Sequence, residues 1–215
     1  MGYMNDLRFA YSILFRPASA AKKNFTARQF LGLYYKLTVI PFIIYLVIGA
    51  LLIQFGASSI STSLAGLASI FPIATALAYP LLILSGVLIF WIAIPIGFAI
   101  DAFIYQIVGK LFLNVWKGNY DKTFVAAGFA VMPAMLFYWL LSIPILNVLY
   151  IIVVGIWEIV LLVIALSVQQ KVSRLQAFAS VLSGLVLAIL VVLLIVVGII
   201  GAAHSFGGVP SFWGM

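Results

Sequence analysis

Two carboxyl groups lie where the chain is otherwise apolar, and they are the side chains best placed to do chemistry. Asp101 and Glu158 each lie inside a long apolar run that contains no Lys or Arg. Asp101 precedes Lys110 by nine residues, which on a helix is roughly 13 Å. Glu158 precedes Gln169 by eleven residues, or roughly 16 Å. The spacing therefore predicts two carboxyls at similar depth in a membrane, with Tyr105 one turn after Asp101 and able to donate a hydrogen bond to it.

These carboxyls allow two interpretations. A lone carboxylate inside a bilayer is costly, so each group must be protonated, hydrogen-bonded or in contact with water. The pair could form a proton or cation site, or a contact for a lipid headgroup. Alternatively, the two neutral carboxyls could hydrogen-bond between helices and serve packing alone. The second interpretation is favoured, because no intramembrane cation, proton relay or broken helix accompanies the pair.

Other kinds of site find little support in the sequence. The chain has no Cys, which excludes disulfides, thiolate metal sites and iron–sulfur clusters. His204 is the only histidine and is not expected to bind a metal. It is also predicted to lie outside, whereas both acids are predicted near the cytosolic half of the membrane, so a Ser/His/Asp triad cannot assemble. There is no Gly-rich phosphate loop. We therefore expect no enzyme activity and no cofactor.

The composition places these residues in a membrane protein. Of 215 residues, 67% are hydrophobic and 7% charged, against about 25% charged in soluble domains. The fold class is therefore predicted as all-α, a polytopic membrane protein, and no cleaved signal peptide is expected. The net charge is +7, but the charges flank apolar runs. They indicate topology and contact with anionic lipid headgroups rather than nucleic acid.

A helical hairpin organises the predicted elements. Its two apolar runs, 123–141 and 145–168, are separated only by Ser142-Ile143-Pro144, and each is long enough to cross a bilayer. Three more spans are predicted at 37–55, 79–108 and 177–203, the second with a possible kink at Pro95. The chain then divides into a basic cytosolic arm (1–36), a five-span membrane domain (37–203) and an external tail (204–215). An outward loop with a short interfacial helix is predicted for 56–77.

The distribution of charge predicts the orientation. All 11 basic residues fall within 8–36, 110–122 and 171–174, and five spans place these segments on one side. The excess of positive charge on cytoplasmic segments then puts the N-terminus in the cytosol and the C-terminus outside. The expected location is the cell membrane.

The N-terminal arm begins with a predicted amphipathic helix over 3–16. Arg8, Ser12 and Arg16 form its polar stripe, and Pro17 ends it. This helix could lie in the headgroup plane or pack on the inner ends of the spans. The arm continues with the basic residues Lys22, Lys23 and Arg28 and with two candidate N-caps, Asn24 and Thr26.

Several motifs then resemble one family. Gly128-Phe129-Ala130-Val131-Met132-Pro133 is similar to the signature G-Y-x-x-x-P of Yip-domain proteins, integral membrane proteins named for interaction with Ypt/Rab GTPases. Further similarity lies in the run-in 116–123, the Ile143-Pro144 turn, the Gly155-Ile156-Trp157 region, the Arg174-Leu175-Gln176-Ala177 turn and the Leu14-Phe15-Arg16-Pro17 segment. The resemblance covers most of 7–200 and implies five spans with a role in membrane organisation.

The chain also departs from the family pattern. It lacks the D-L-Y-G-P motif of the eukaryotic branch, and about 36 residues stand where that branch has a long cytosolic domain. We expect a prokaryotic or archaeal-type member, with an endomembrane location only if the source is eukaryotic. Phe129 lacks the hydroxyl of the usual Tyr, so the motif, including Gly128 and Pro133, is expected to serve packing and helix kinking.

These observations lead to two functional hypotheses. The first is a non-enzymatic scaffold whose basic arm engages anionic lipid, an acidic protein partner or a second copy of the chain. The alternative is a small proton- or ion-coupled transporter or channel subunit that uses Asp101 and Glu158.

Overall fold

The computed structural model describes residues 3–63 and 71–206, and all regular structure within these ranges is helical. The helices are α1 (Tyr3–Phe15), α2 (Pro17–Ala20), α3 (Ala27–Ser63), α4 (Phe71–Val87), α5 (Ile94–Ile107), α6 (Tyr120–Leu136), α7 (Pro144–Gln169) and α8 (Arg174–Phe206). The predicted all-α class is confirmed for this part of the chain. The predicted tail after Phe206 and residues 64–70 lie outside the described residues.

Four of the described helical segments are long and apolar enough to cross a membrane. They are Ala27–Phe55, Ala76–Phe112, Leu146–Gln169 and Arg174–Ile199. The protein is therefore a multi-pass membrane protein. The third predicted span is not among the four, because α6 has 17 residues and is followed by a 3₁₀ segment, Tyr138–Ser142. The count of five spans thus remains a prediction.

The first long helix begins earlier and ends later than its predicted span. Thr26 is its N-cap: the Thr26 hydroxyl accepts from the Gln29 N–H (3.3 Å), and the Gln29 side chain accepts from the Thr26 N–H (3.0 Å). This reciprocal pair is a capping box, so the N-cap predicted at Thr26 is confirmed. At the other end, α3 continues to Ser63 and the next helix begins at Phe71.

The loop predicted over 56–77 is helical at 56–63 and at 71–77. Its outward position and its short interfacial helix remain predictions. The serines and threonines of 58–63 therefore do not end α3.

The second long segment is continuous from Phe71 to Phe112 but changes its helical pitch. A π-helical stretch, Leu88–Ala93, comes directly before α5, and Pro95 is the second residue of that helix. Proline has no N–H for the preceding turn, and a wider turn accommodates this loss. A second π-helical stretch, Val108–Phe112, closes the segment.

The predicted hairpin is formed by α6 and α7, with a connection different from a simple turn. The 3₁₀ segment leads to Ile143, which is extended (φ −106°, ψ 112°), and Pro144 opens α7 at a position where its missing N–H costs nothing. Across the hairpin, the Tyr150 hydroxyl donates to the Ala134 carbonyl at 2.6 Å.

Three basic segments meet at one end of the bundle, which we call the basic end. The Gln169 side chain donates to the Ala21 carbonyl (2.5 Å), which ties the N-terminal arm to α7. The Lys122 ammonium donates to the Asn24 side chain (2.8 Å). The Gly118 N–H donates to the Gln170 side chain (2.7 Å). The arm, the segment before α6 and the turn before α8 therefore lie together.

Candidate functional site

The two intramembrane acids and Tyr105 line one cavity of about 270 Å³. Four helices build it: Asp101 and Tyr105 come from α5, Ala127, Ala130 and Val131 from α6, Gly155, Glu158, Ile159 and Leu162 from α7, and Val181 and Leu185 from α8. The structure thus brings together the three residues that the sequence marked as a candidate polar site. Most of the remaining wall is aliphatic, so the carboxyls and the phenol supply its polarity.

Small residues let the helices close around this cavity. The Tyr105 ring packs against Gly184 of α8, where an added Cβ would lie 2.5 Å from Tyr105 Cδ1. Gly155 of α7 has open space beside it. Tyr105 is buried, Glu158 is half-buried and Asp101 is exposed at the surface of the bundle.

Neither carboxyl forms an ion pair or a hydrogen bond with a protein group within the described residues. The one ion pair found there joins Lys36 and Asp6, far from the cavity in sequence. No hydrogen bond reaches Asp101 or Glu158 from the described groups. The hydrogen bond predicted from Tyr105 to Asp101 is therefore not formed, although both residues line the same wall. A direct interhelical bond between the acids is not formed either, and the role of the pair remains a prediction.

The predicted family motif lies in the aromatic core at the basic end. A Cβ at Gly128 would overlap the ring of Phe30, which is fully buried. The Phe129 ring contacts Phe30 (centroids 5.4 Å) and also Phe9 and Phe25 of the arm (5.6 and 6.5 Å). The motif thus joins α3, α6 and the arm. Its proline, Pro133, is buried and α6 continues through it for one turn.

A closed ring of hydrogen bonds holds the basic end together. The Gln170 side chain accepts from the Gly118 N–H (2.7 Å) and donates to the Thr123 hydroxyl (2.7 Å). That hydroxyl donates to the side-chain oxygen of Gln106, whose amide nitrogen returns to the Gly118 carbonyl (3.4 Å). Gln170 and Thr123 are both fully buried. Because buried polar groups are costly unless paired, the ring specifies one arrangement of α5, α6 and α7.

Sequence reasoning missed this ring. Gln169 and Gln170 follow the predicted span 145–168 and are not predicted to be buried, whereas α7 extends to Gln169 and both side chains are buried. A pair of uncharged amides at the end of an apolar helix was the available signal. Their partners are backbone groups and a hydroxyl distant in sequence, which no spacing rule could indicate.

The N-terminal arm is packed onto the bundle and presents its charges outward. Helix α1 buries Phe9, Ala10 and Ile13. The predicted arm residues Arg8, Arg16, Lys22, Lys23 and Arg28 are all exposed. The helix packs against α3 and α6, and Met4, Tyr11 and Phe15 on its other side are exposed. Its position relative to the headgroup plane remains a prediction.

These features define a class of protein before any comparison. The chain is a helical, multi-pass integral membrane protein with its basic segments gathered at one end. Among the described residues, no group of three His, Cys, Asp or Glu side chains is placed to hold a metal ion. The family model of the Yip1 domain matches residues 11–213, and the chain therefore belongs to the Yip1 family. Comparison with curated proteins and with solved structures gave no match.

Proposed function

We propose that this protein is a non-enzymatic membrane scaffold with five spans, an N-terminus in the cytosol and a C-terminus outside. Its basic end would attract anionic lipid of a facing membrane or an acidic partner. The meeting of three basic segments at one end supports this topology, because an even number of crossings must separate them. Membership of the Yip1 family supports a role in membrane organisation with protein partners.

One observation carries the proposal: the arm is fixed rather than free. The Gln169 side chain donates to the carbonyls of Ala21 and Lys23 (2.5 and 3.2 Å). Phe9 and Phe25 of the arm contact Phe129 of α6. The arm is thus held as a platform, and its cations keep a set spacing instead of spreading over a mobile chain.

The platform also exposes apolar side chains beside its cations. Met4, Tyr11 and Phe15 of α1 are 66%, 61% and 65% exposed, and the rings of Tyr11 and Phe15 are 4.5 Å apart. Arg8 and Arg16 flank them. Aromatic and basic residues on one helix face are typical of helices that insert shallowly at a membrane surface.

Clustering of vesicles tests the proposal. Full-length protein in neutral vesicles would be mixed with protein-free anionic vesicles, and clustering would be followed by light scattering, normalised to protein with an outward-facing arm. The variant R8Q/R16Q/K22Q/R28Q should bind anionic vesicles roughly a thousandfold more weakly, because each of the four basic residues near such a surface contributes about 1 kcal/mol. Added salt should weaken the wild type.

A matched variant separates the platform from net charge. K110Q/K117Q/K171Q/R174Q removes the same charge from four other exposed positions at the basic end. We expect this variant to retain most of the clustering. Equal losses in the two variants would show that only total charge matters and would contradict a role for the arm.

The cavity supports a second candidate function. Asp101 and Glu158 line one cavity whose lining contains no Lys or Arg, and acids within membrane spans often mark proton or ion pathways. Flux driven by a pH gradient in sealed proteoliposomes, lost in D101N/E158Q but not in the arm variant, would favour transport. Clustering without such flux would favour the scaffold.

A further inference from the structure

A second cavity, of about 540 Å³, lies between α1 and the start of α3 at the basic end. Its wall carries both signs of charge, from Lys23, Lys36 and Asp6, beside the apolar side chains of Phe9 and Leu33. From this pairing we infer that the cavity binds the headgroup of a phospholipid that carries a phosphate and a primary ammonium group. Such a site would exist whether or not the arm attracts anionic membranes.

Asp6 provides the strongest indication of a ligand. The residue is only 7% exposed, and its Oδ2 atom forms no hydrogen bond with the described protein groups. Its charge partner, the Lys36 ammonium, is 3.9 Å away, beyond hydrogen-bond distance. A buried carboxylate oxygen requires donors. A primary ammonium offers three N–H groups and can take the place of the Lys36 ammonium beside Asp6, since both side chains line the cavity.

The two lysines suit the phosphate. The Lys36 side chain is 59% exposed and reaches the cavity wall, so its ammonium can turn toward a ligand. The Lys23 ammonium lies 4.2 Å from the centre of the Phe9 ring. A cation held over a ring face keeps N–H groups available, and lysine binds phosphate as a compact point charge. The two lysines therefore match the phosphate of a zwitterionic headgroup, and Asp6 matches its ammonium group.

The position of the cavity points to a lipid rather than a soluble phosphoamine. It lies beside the first residues of Ala27–Phe55, a helical segment long and apolar enough to cross a membrane. Phe9, Phe25 and Leu33 give it an apolar wall. Gly32 also lines it, and a Cβ there would meet nothing within 4 Å. A diacylglycerol moiety could lie along this apolar wall, whereas a soluble phosphoamine has no apolar part that would need such a wall.

Native mass spectrometry of the purified full-length protein can test the assignment. Phosphatidylethanolamine, phosphatidylcholine and phosphatidylglycerol would be titrated separately in detergent. We expect phosphatidylethanolamine to bind about tenfold more tightly than phosphatidylcholine, because a trimethylated ammonium cannot donate a hydrogen bond to Asp6. Phosphatidylglycerol reports on the phosphate contacts alone.

Charge variants assign the two halves of the site. Asp6→Asn should abolish the preference for phosphatidylethanolamine over phosphatidylcholine and leave phosphatidylglycerol binding unchanged or tighter. Lys36→Gln should weaken all three lipids by about tenfold, as expected for loss of a charge-assisted hydrogen bond. Helix content by circular dichroism checks that each variant is folded.

A cavity-filling variant tests the site without changing charge. Gly32→Leu should weaken all three lipids while the protein stays folded, since the added side chain enters open space. Gly97→Leu on α5 is its matched control, because Gly97 also has nothing within 4 Å and lines neither cavity. Equal binding of all lipids to both variants would overturn the proposal.

Two further outcomes would also overturn it. The first is equal affinity of the wild type for phosphatidylethanolamine and phosphatidylcholine. The second is displacement of bound lipid by free phosphoethanolamine at concentrations equal to those of the lipid, which would assign the site to a soluble phosphoamine. Inorganic phosphate is the control for non-specific anion binding, and displacement by phosphate alone would likewise exclude the amine contact.

Discussion

Helices α6 and α8 are both apolar, yet they occupy opposite kinds of environment. In α6, 11 residues are buried, including every residue from Thr123 to Ala130. In α8, only 6% of the most apolar window of Arg174–Ile199 is buried. Lipid is as apolar as leucine, so hydrophobicity alone does not draw a membrane helix inward. The difference lies in the number of neighbours: α6 packs against α1, α3, α5 and α7, whereas α8 packs mainly against α5 and α7. The small residues Ala126, Ala127, Gly128 and Ala130 allow this close approach to α6.

The largest effect should come from truncating the ring at the centre of α6. Phe129→Ala removes contacts with three other rings and leaves a cavity, so we expect a loss of about 3–5 kcal/mol in the free energy of unfolding. In α8, Leu190→Ala removes a side chain that is 52% exposed, and lipid can refill the space. The measurement is SDS-induced unfolding in mixed micelles followed by circular dichroism. Comparable losses in the two variants would remove the distinction between the helices.

The next effect separates two buried hydroxyls. Thr123→Val removes the hydroxyl that bonds to the Gln170 and Gln106 side chains in the hydrogen-bonded ring, and a buried unsatisfied group costs about 1–3 kcal/mol. Ser180 of α8 is equally buried, but its hydroxyl donates to the Gln176 carbonyl of its own helix (2.9 Å). Ser180→Ala should therefore cost less than Thr123→Val in the same unfolding assay. The reverse order would show that the ring does not stabilise the basic end.

The smallest effect is expected for two Gly→Ala variants, which should change the free energy of unfolding in opposite directions. Gly128→Ala places a methyl group against the Phe30 ring, and overpacking of about 1–3 kcal/mol outweighs the gain in helix propensity of up to about 1 kcal/mol. Gly198→Ala meets nothing within 4 Å and should be neutral or slightly stabilising. A stabilised Gly128→Ala protein would show that Phe30 can move aside at little cost. The packing around α6 would then be no tighter than the packing around α8.

The sequence predicted the helices better than it predicted their ends. The all-helical class and the start at Thr26 follow from local chemistry, so they could be anticipated. The continuation of α3 to Ser63 could not, because polar side chains suggested a loop where the backbone stays helical. The third predicted span also could not be established from apolarity, since α6 ends at Leu136 and a 3₁₀ segment follows.

The candidate sites show the same division. Helical spacing suggested that Asp101 and Glu158 lie at similar depth, and the structure places both on one cavity wall. Spacing also suggested the hydrogen bond from Tyr105, which the described residues do not form. The second cavity was not anticipated, because Asp6 and Lys36 are thirty residues apart and come together only when α1 packs onto α3.

The sequence by itself determined the helical class and the basic end, through its composition and the placement of its charges. An apolar chain must satisfy its backbone in helices within a membrane, and basic residues confined to three segments predict one end that carries them. Tertiary structure alone decided which helix lies at the centre, which amides close the hydrogen-bonded ring and which charges face the two cavities. Those outcomes depend on how each helix is rotated about its axis, and that rotation follows from side-chain packing between helices rather than from hydrophobicity.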